Sequence, residues 1–151
     1  MSDWTHVSGV IRFMDLHHES REIPLDLDSL IGKECSYNEW ISVSEEEYWE
    51  NPDAFMPAGS EGTLHKIILE NQGDNRPMEY IITIFGDLRD SHPAFSLAHW
   101  FNQKCKAIEN IDGILMRDAV VIAKNDFSGQ VVYGAGGKYL GCISEERKAA
   151  V

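Results

Sequence analysis

The residues best suited to chemistry gather in one run, Phe85-Gly86-Asp87-Leu88-Arg89-Asp90-Ser91-His92, which brings carboxylates, a guanidinium and an imidazole close together along the chain. The run follows an apolar stretch with strand character and precedes a helical pattern. Polar groups at such a strand end can meet a ligand beside the helix amino terminus. With His6, Arg12 and His65 contributed by other segments, Asp87, Arg89 and His92 define a candidate ligand site, whose mixed charge suits a nucleotide-like molecule. The plainer alternative is that Asp90 or Ser91 caps the helix while Arg89 pairs with a neighbouring carboxylate.

Other chemistries find less support. The histidines include His17-His18-Glu19, His92 and His99, yet no HxH or HxxxH pair occurs, so their spacing specifies no metal site. Cys35, Cys105 and Cys142 stand far apart without a CxxC pair and read as reduced thiols. Gly59-Ser60-Glu61-Gly62-Thr63 leads into a strand rather than a helix. Gly134-Ala135-Gly136-Gly137-Lys138 has no Ser or Thr after its lysine, so neither glycine-rich stretch has the features of a phosphate loop. No nucleophile elbow, motif-linked Cys and His, or isolable carboxylate pair stands out, and on these residues no catalytic group, cofactor or metal is expected.

Charge narrows the partners. The 151 residues carry 25 acidic and 13 basic side chains, a formal net charge of −12. The densest basic stretch, Gln103-Lys104-Cys105-Lys106, holds only Lys104 and Lys106, so direct binding to nucleic acid or an anionic membrane is disfavoured. The amino-terminal residues lack a basic and then apolar leader pattern, and no apolar run approaches the ~20 residues of a membrane span, which points to a cytoplasmic protein. Within an irregular acidic segment at about 33–62, Tyr37, Trp40, Tyr48 and Trp49 stand near Glu45 and Glu46. Aromatic rings are enriched at interface hot spots, which makes these residues a candidate partner-binding surface. Pinning a long loop to the domain is their other role.

The elements that must position these groups follow from hydrophobic period. Trp4 to Met14 alternates as a half-buried strand, with Thr5, Val7, Gly9, Ile11 and Phe13 on one side and His6, Ser8, Val10 and Arg12 on the other. A short helix is expected over 26–31 before Gly32, and another near 44–50, where Ser44 and Glu47 have capping-box spacing. Residues 63–70 and 78–85 read as a hairpin, the second strand apolar on both sides and so expected in the middle of the sheet. Ala94, Leu97, Ala98, Phe101, Cys105 and Ile108 mark a helix over 93–109. Strands over 113–123 and 130–133 follow, then a flexible tail from about 134. The expectation is one α+β domain over 1–151, with an antiparallel sheet of about five strands and one long helix packed on it. A ferredoxin-like, split βαβ arrangement fits this order best, and a simple meander carrying one helix is the alternative.

Trp4-Thr5-His6-Val7 with Gly9, Ile11 and Arg12, then Gly59-Ser60-Glu61-Gly62, Phe85-Gly86-Asp87-Leu88-Arg89-Asp90 and Trp100-Phe101-Asn102 together resemble a family of small bacteriophage- and prophage-encoded proteins. That resemblance implies a phage or prophage origin and carries no activity with it. The leading expectation is a non-enzymatic accessory protein that binds a host or phage macromolecule through the acidic, aromatic surface, with a basic partner and a nucleic-acid-handling or defence protein suited to the charge. Self-association stays open, because edge strands of short sheets pair between chains. The alternative is a small-ligand binder or enzyme with its pocket near Asp87 to His92.

Overall fold

The computed structural model describes residues 3–36, 52–73, 77–90, 93–135 and 142–147. Strand β1 (Trp4–Asp15) is followed by a five-residue helix α1 (Leu27–Ile31), then β2 (Leu64–Asn71) and β3 (Met78–Arg89). Helix α2 (Ala94–Glu109), β4 (Ile114–Asn125), β5 (Gln130–Ala135) and β6 (Cys142–Arg147) complete the order. All strand pairs are antiparallel, in the spatial order β2-β3-β1-β4-β5-β6. The fold class is α+β, as expected, and among the described residues the sheet has six strands where about five were expected. The stretch expected as a tail supplies the end of β5 and the outer strand β6.

Alternation in β1 dictates its role. Val7, Ile11 and Phe13 are buried beneath the helices, while Ser8, Val10 and Arg12 between them are exposed. Because β1 pairs with β3 on one side and β4 on the other, it lies in the interior of the sheet, whereas β3, expected in the middle, stands second from the edge. A bulge between Arg12 and Phe13 leaves Arg117 of β4 as an extra residue.

α2 forms where apolar residues recur at spacings of three and four. Leu97, Ala98, Phe101, Cys105 and Ile108 are buried against β1, β4 and β5. Pro93 occupies the amino-terminal cap position, and no side chain caps this helix, so Asp90 has a different task described below. Sixteen residues make α2 a helix of ordinary length rather than a long one. Its approach to the sheet depends on Gly9, where a Cβ would stand 2.6 Å from Cε2 of Phe101. Asp26 starts α1 by accepting from the Ser29 amide at 3.2 Å, and Gly32, at φ +107, ends it. Lys66 of β2 then donates to the carbonyls of Asp28 and Gly32, satisfying acceptors at the negative end of α1. Leu27 and Ile31 face the core on the same side of the sheet as α2. Within the segment read as irregular, Cys35 and Met56 are buried, and bridges Lys33↔Phe55 and Glu61↔Arg89 tie its described parts down.

Candidate functional site

Of the ligand-site residues, the fold brings His6 and Asp87 together, because β1 and β3 pair in that register. His6 donates from Nδ1 to Asp87 Oδ1 at 2.5 Å and from Nε2 to Asp126 Oδ2 at 2.7 Å. Hydrogen bonds to Asp126 and then Asp87 raise its pKa against a smaller opposing effect of burial, favouring the imidazolium. With both ring nitrogens donating, His6 joins β3, β1 and the turn after β4 and has no lone pair left to act as a base. Asp126 lies 120 positions from His6, and no local pattern marked it.

Arg89 and Asp90 form a second group beside it. β3 runs through Asp87, Leu88 and Arg89, so these residues lie on the strand rather than after its expected end at 85. Arg89 Nη1 donates to Glu61 at 2.6 Å, while Arg89 Nε is buried without a hydrogen-bond partner, 3.4 Å from Asp90 Oδ2. The strip 59–62 lies along this strand end, with the Ser60 amide donating to Arg89 O and the Arg89 amide to Glu61 O. Gly62, at φ +83, permits the approach, since a Cβ there would collide with the Asp87 carbonyl. Asp90 adopts φ +46, unusual outside glycine. Its amide donates to Asp3 O at 2.6 Å and its carboxylate accepts from the Asp3 amide at 3.0 Å, so it ties the start of β1 instead of capping α2.

The remaining members are dispersed. His65 lies against Phe85, ring centroids 5.5 Å apart, and faces Glu34 at 3.4 Å. Arg12 pairs with Asp118 at 3.0 Å, six residues or about 20 Å along β1 from His6. His92 and the acidic, aromatic set Tyr37, Trp40, Glu45, Glu46, Tyr48 and Trp49 lie outside the described residues. Among the described residues no group of three or more His, Cys, Asp or Glu side chains could hold a metal ion, and no helix is long and apolar enough to cross a membrane.

His6, Arg12, His65 and Asp87 share a larger feature, the face of the sheet opposite the helices. On it Ile67 and Leu69 of β2, Phe85 of β3, Val10 of β1, Val120 and Ile122 of β4 and Tyr133 of β5 are each 36–55% exposed. Register makes them contiguous. One row runs Ile67, Thr83, Val10, Val120, and the next runs Phe85, Ser8, Ile122, Tyr133. Comparison with known proteins finds no matching family model, no matching curated protein and no matching solved structure. The character of this face therefore has to come from its own residues.

Its charges are mixed. At one end His6, Lys124 and Arg89 accompany Asp87, Asp126, Glu61 and Asp90; at the other Arg12 and Arg117 accompany Asp118 and Glu79, with Arg117 reaching back to Met14 Sδ at 3.3 Å. Neither end offers an excess of cations. The sequence held a signal for this face in Ala119-Val120-Val121-Ile122-Ala123, which is apolar at every position and so greasy on both sides of its strand.

The sheet's helix side holds a different charged group. The Asp15 carboxylate, fully buried, accepts from Arg21 Nε at 2.7 Å, Arg21 Nη2 at 2.8 Å and the His17 amide at 3.0 Å. Burial pushes its pKa up, but the hydrogen bonds from Arg21 and His17 outweigh that and hold it below the usual carboxylate range. Arg21 also donates to Asp112 O at 2.6 Å. Cys105 sits in the core, and burial pushes its thiol up to about 12, which keeps it protonated and unreactive.

Proposed function

We propose that the protein is a non-enzymatic accessory protein that binds another protein through the open face of its sheet. The observation that carries this reading is the contiguous apolar surface left across five strands while the opposite face is closed by helices. Exposed apolar patches of such extent on soluble domains are commonly interaction sites. The partner that fits is a protein patch that is itself apolar and near charge-neutral. Nucleic acid is a poor match, because no excess of cations is offered to phosphates. The engagement of His6, Asp15 and Arg89 in pairings that join strands and loops also favours binding over catalysis.

The scaffold in this reading is ferredoxin-like, a split βαβ arrangement extended by β5 and β6. The order β2-β3-β1-β4, with α2 linking β3 to β4 across the strand between them, supports it. The short strings that resemble phage and prophage proteins favour a phage-type role inside a bacterial cytoplasm, with a host or phage protein as partner.

Capture from bacterial lysate, run in parallel with wild-type chain and with an Ile67→Glu, Ile122→Glu double variant, tests the reading. A protein retained by the wild type and lost by a folded double variant is the expected result. Retention that is equal for both places the contact elsewhere and overturns it.

A further inference from the structure

We infer that the protein self-associates by joining the outer edge of β2 to the same edge of a second copy, antiparallel about a two-fold axis at Leu69. The contact lies on the rim of the sheet and is separate from the reading of its open face.

The two rims differ. β6 ends one side of the sheet and contains the charged run Glu145-Glu146-Arg147, a composition that discourages pairing between chains. β2 ends the other side and holds Ile67-Ile68-Leu69 in succession, with no proline and no bulge in its pairing to β3. Lysine is the residue type that commonly guards an edge, but Lys66 is turned aside. Its ammonium donates to the carbonyls of Asp28 and Gly32, and its side chain is only 9% exposed. Ile67 and Leu69 stand about half exposed beside it.

Hydrogen bonding sets the register. The Lys66 amide points away from β3 and donates to Glu34 Oε1 at 2.7 Å. Backbone groups alternate sides along a strand, so the N–H and C=O groups of Ile68 and Glu70 point outward too. Among the described residues these outer groups have no partner. An axis at Leu69 sets each Ile68 opposite the Glu70 of the other copy, which satisfies all of them while Lys66 keeps Glu34. An axis at Ile68 would bring the other copy's Glu70 to the place that the Glu34 carboxylate already fills, and an axis at Glu70 would set two carboxylates face to face.

This self-matching set of groups is what favours a copy over another strand. The free rungs of β2 complete one another when the strand meets its own duplicate, as a two-fold contact requires. The duplicate also arrives already extended and held by β3, whereas a flexible peptide incurs the entropy of ordering for the same few hydrogen bonds. At the axis Leu69 meets Leu69 of the other copy in a position without cross-strand hydrogen bonds, where side chains approach most closely. The residues of β2 on that side, His65, Ile67, Leu69 and Asn71, bring no carboxylate to the contact.

Sedimentation equilibrium on the full chain, from micromolar to millimolar concentration, tests the association, and cross-linking tests the register. The expected mass rises from 17.1 kDa toward twice that value with concentration, and more readily at high salt, where repulsion between two chains of charge −12 is screened. Glu70→Pro removes an outer N–H without touching the pairing to β3 and should weaken association by about 10-fold or more. Leu69→Lys, which sets like charges together at the axis, repeats the test should the proline variant fold poorly. In oxidised glutathione Leu69→Cys should form a disulfide-linked dimer, because its Cα atoms would lie ~4.5 Å apart, within the reach of a disulfide. Ile67→Cys, which faces Asn71 of the other copy, should not, and wild type controls for the native thiols. A single-chain mass at millimolar concentration in both salts overturns the inference. So does a dimer that both folded variants leave intact, or one in which Leu69→Cys links no faster than Ile67→Cys.

Discussion

The two faces of the sheet are built from the same kinds of residue and meet opposite surroundings. On the helix side Ile11, Phe13, Ile82 and Ile84 are fully buried, while on the other side Val10, Phe85, Val120 and Ile122 remain between about a third and a half exposed. Hydrophobicity does not separate these sets. What separates them is that α1 and α2 lie on the same side, so the connections that carry them close only that face. The charged groups follow the same division. Asp15, on the helix side, is sealed and held by Arg21, whereas His6 with its two aspartates stays half in water. One type of interaction thus has two strengths, set by the dielectric around it.

Substitutions on the two faces should separate just as sharply. Phe101→Ala on the covered side removes the ring that packs over Gly9 and should cost about 3–5 kcal/mol in urea denaturation; a cost near zero would mean that α2 does not close this face. Arg21→Ala leaves Asp15 buried without its cation and should cost about 3 kcal/mol at neutral pH. The folded pKa of Asp15 is depressed, so this contribution is present above about pH 4 and disappears as pH falls through the lower folded value. The Arg21→Ala penalty should therefore shrink in acid.

His6 is the counterpart on the open side, and its sign is reversed. The folded pKa is raised, so the stabilisation is complete below about pH 6.5 and is lost as pH rises through the folded value. His6→Gln should remove that dependence and cost at most about 1 kcal/mol at pH 6, because solvent screens both pairs. NMR titration of the imidazole alongside denaturation would show whether the two changes coincide. The smallest effect is expected for Ile122→Glu, within about 0.5 kcal/mol of wild-type stability in the monomer, since the side chain is already half in water. A large loss there would mean that the open face is covered within one chain, and the contrast between the faces would fail.

Much of this was legible along the chain. The alternation of β1 and the three-and-four spacing of α2 identified their buried sides residue by residue, and Asp26 and Gly32 marked the ends of α1. The candidate site was less accessible. His6, Asp87 and Arg89 were singled out, but Asp126 became the partner of His6, and Glu61 that of Arg89, only through pairing between distant segments. Asp90 was readable as a helix cap and serves instead to hold Asp3, because β3 continues to Arg89 and carries the following residue toward the start of β1.

The amino-acid sequence alone determined which side chains share a face, since period two and period 3.6 are properties of the local backbone, and it determined the charge that sets the protein's long-range field. Only the tertiary structure decided that β1 and β4 rather than β3 take the two middle places of the sheet, that both helices cover one side, and that acids scattered through the chain gather with bases on the other. Those outcomes depend on pairing between residues far apart in sequence. Such pairing is chosen by the packing of the whole chain rather than by any segment in it.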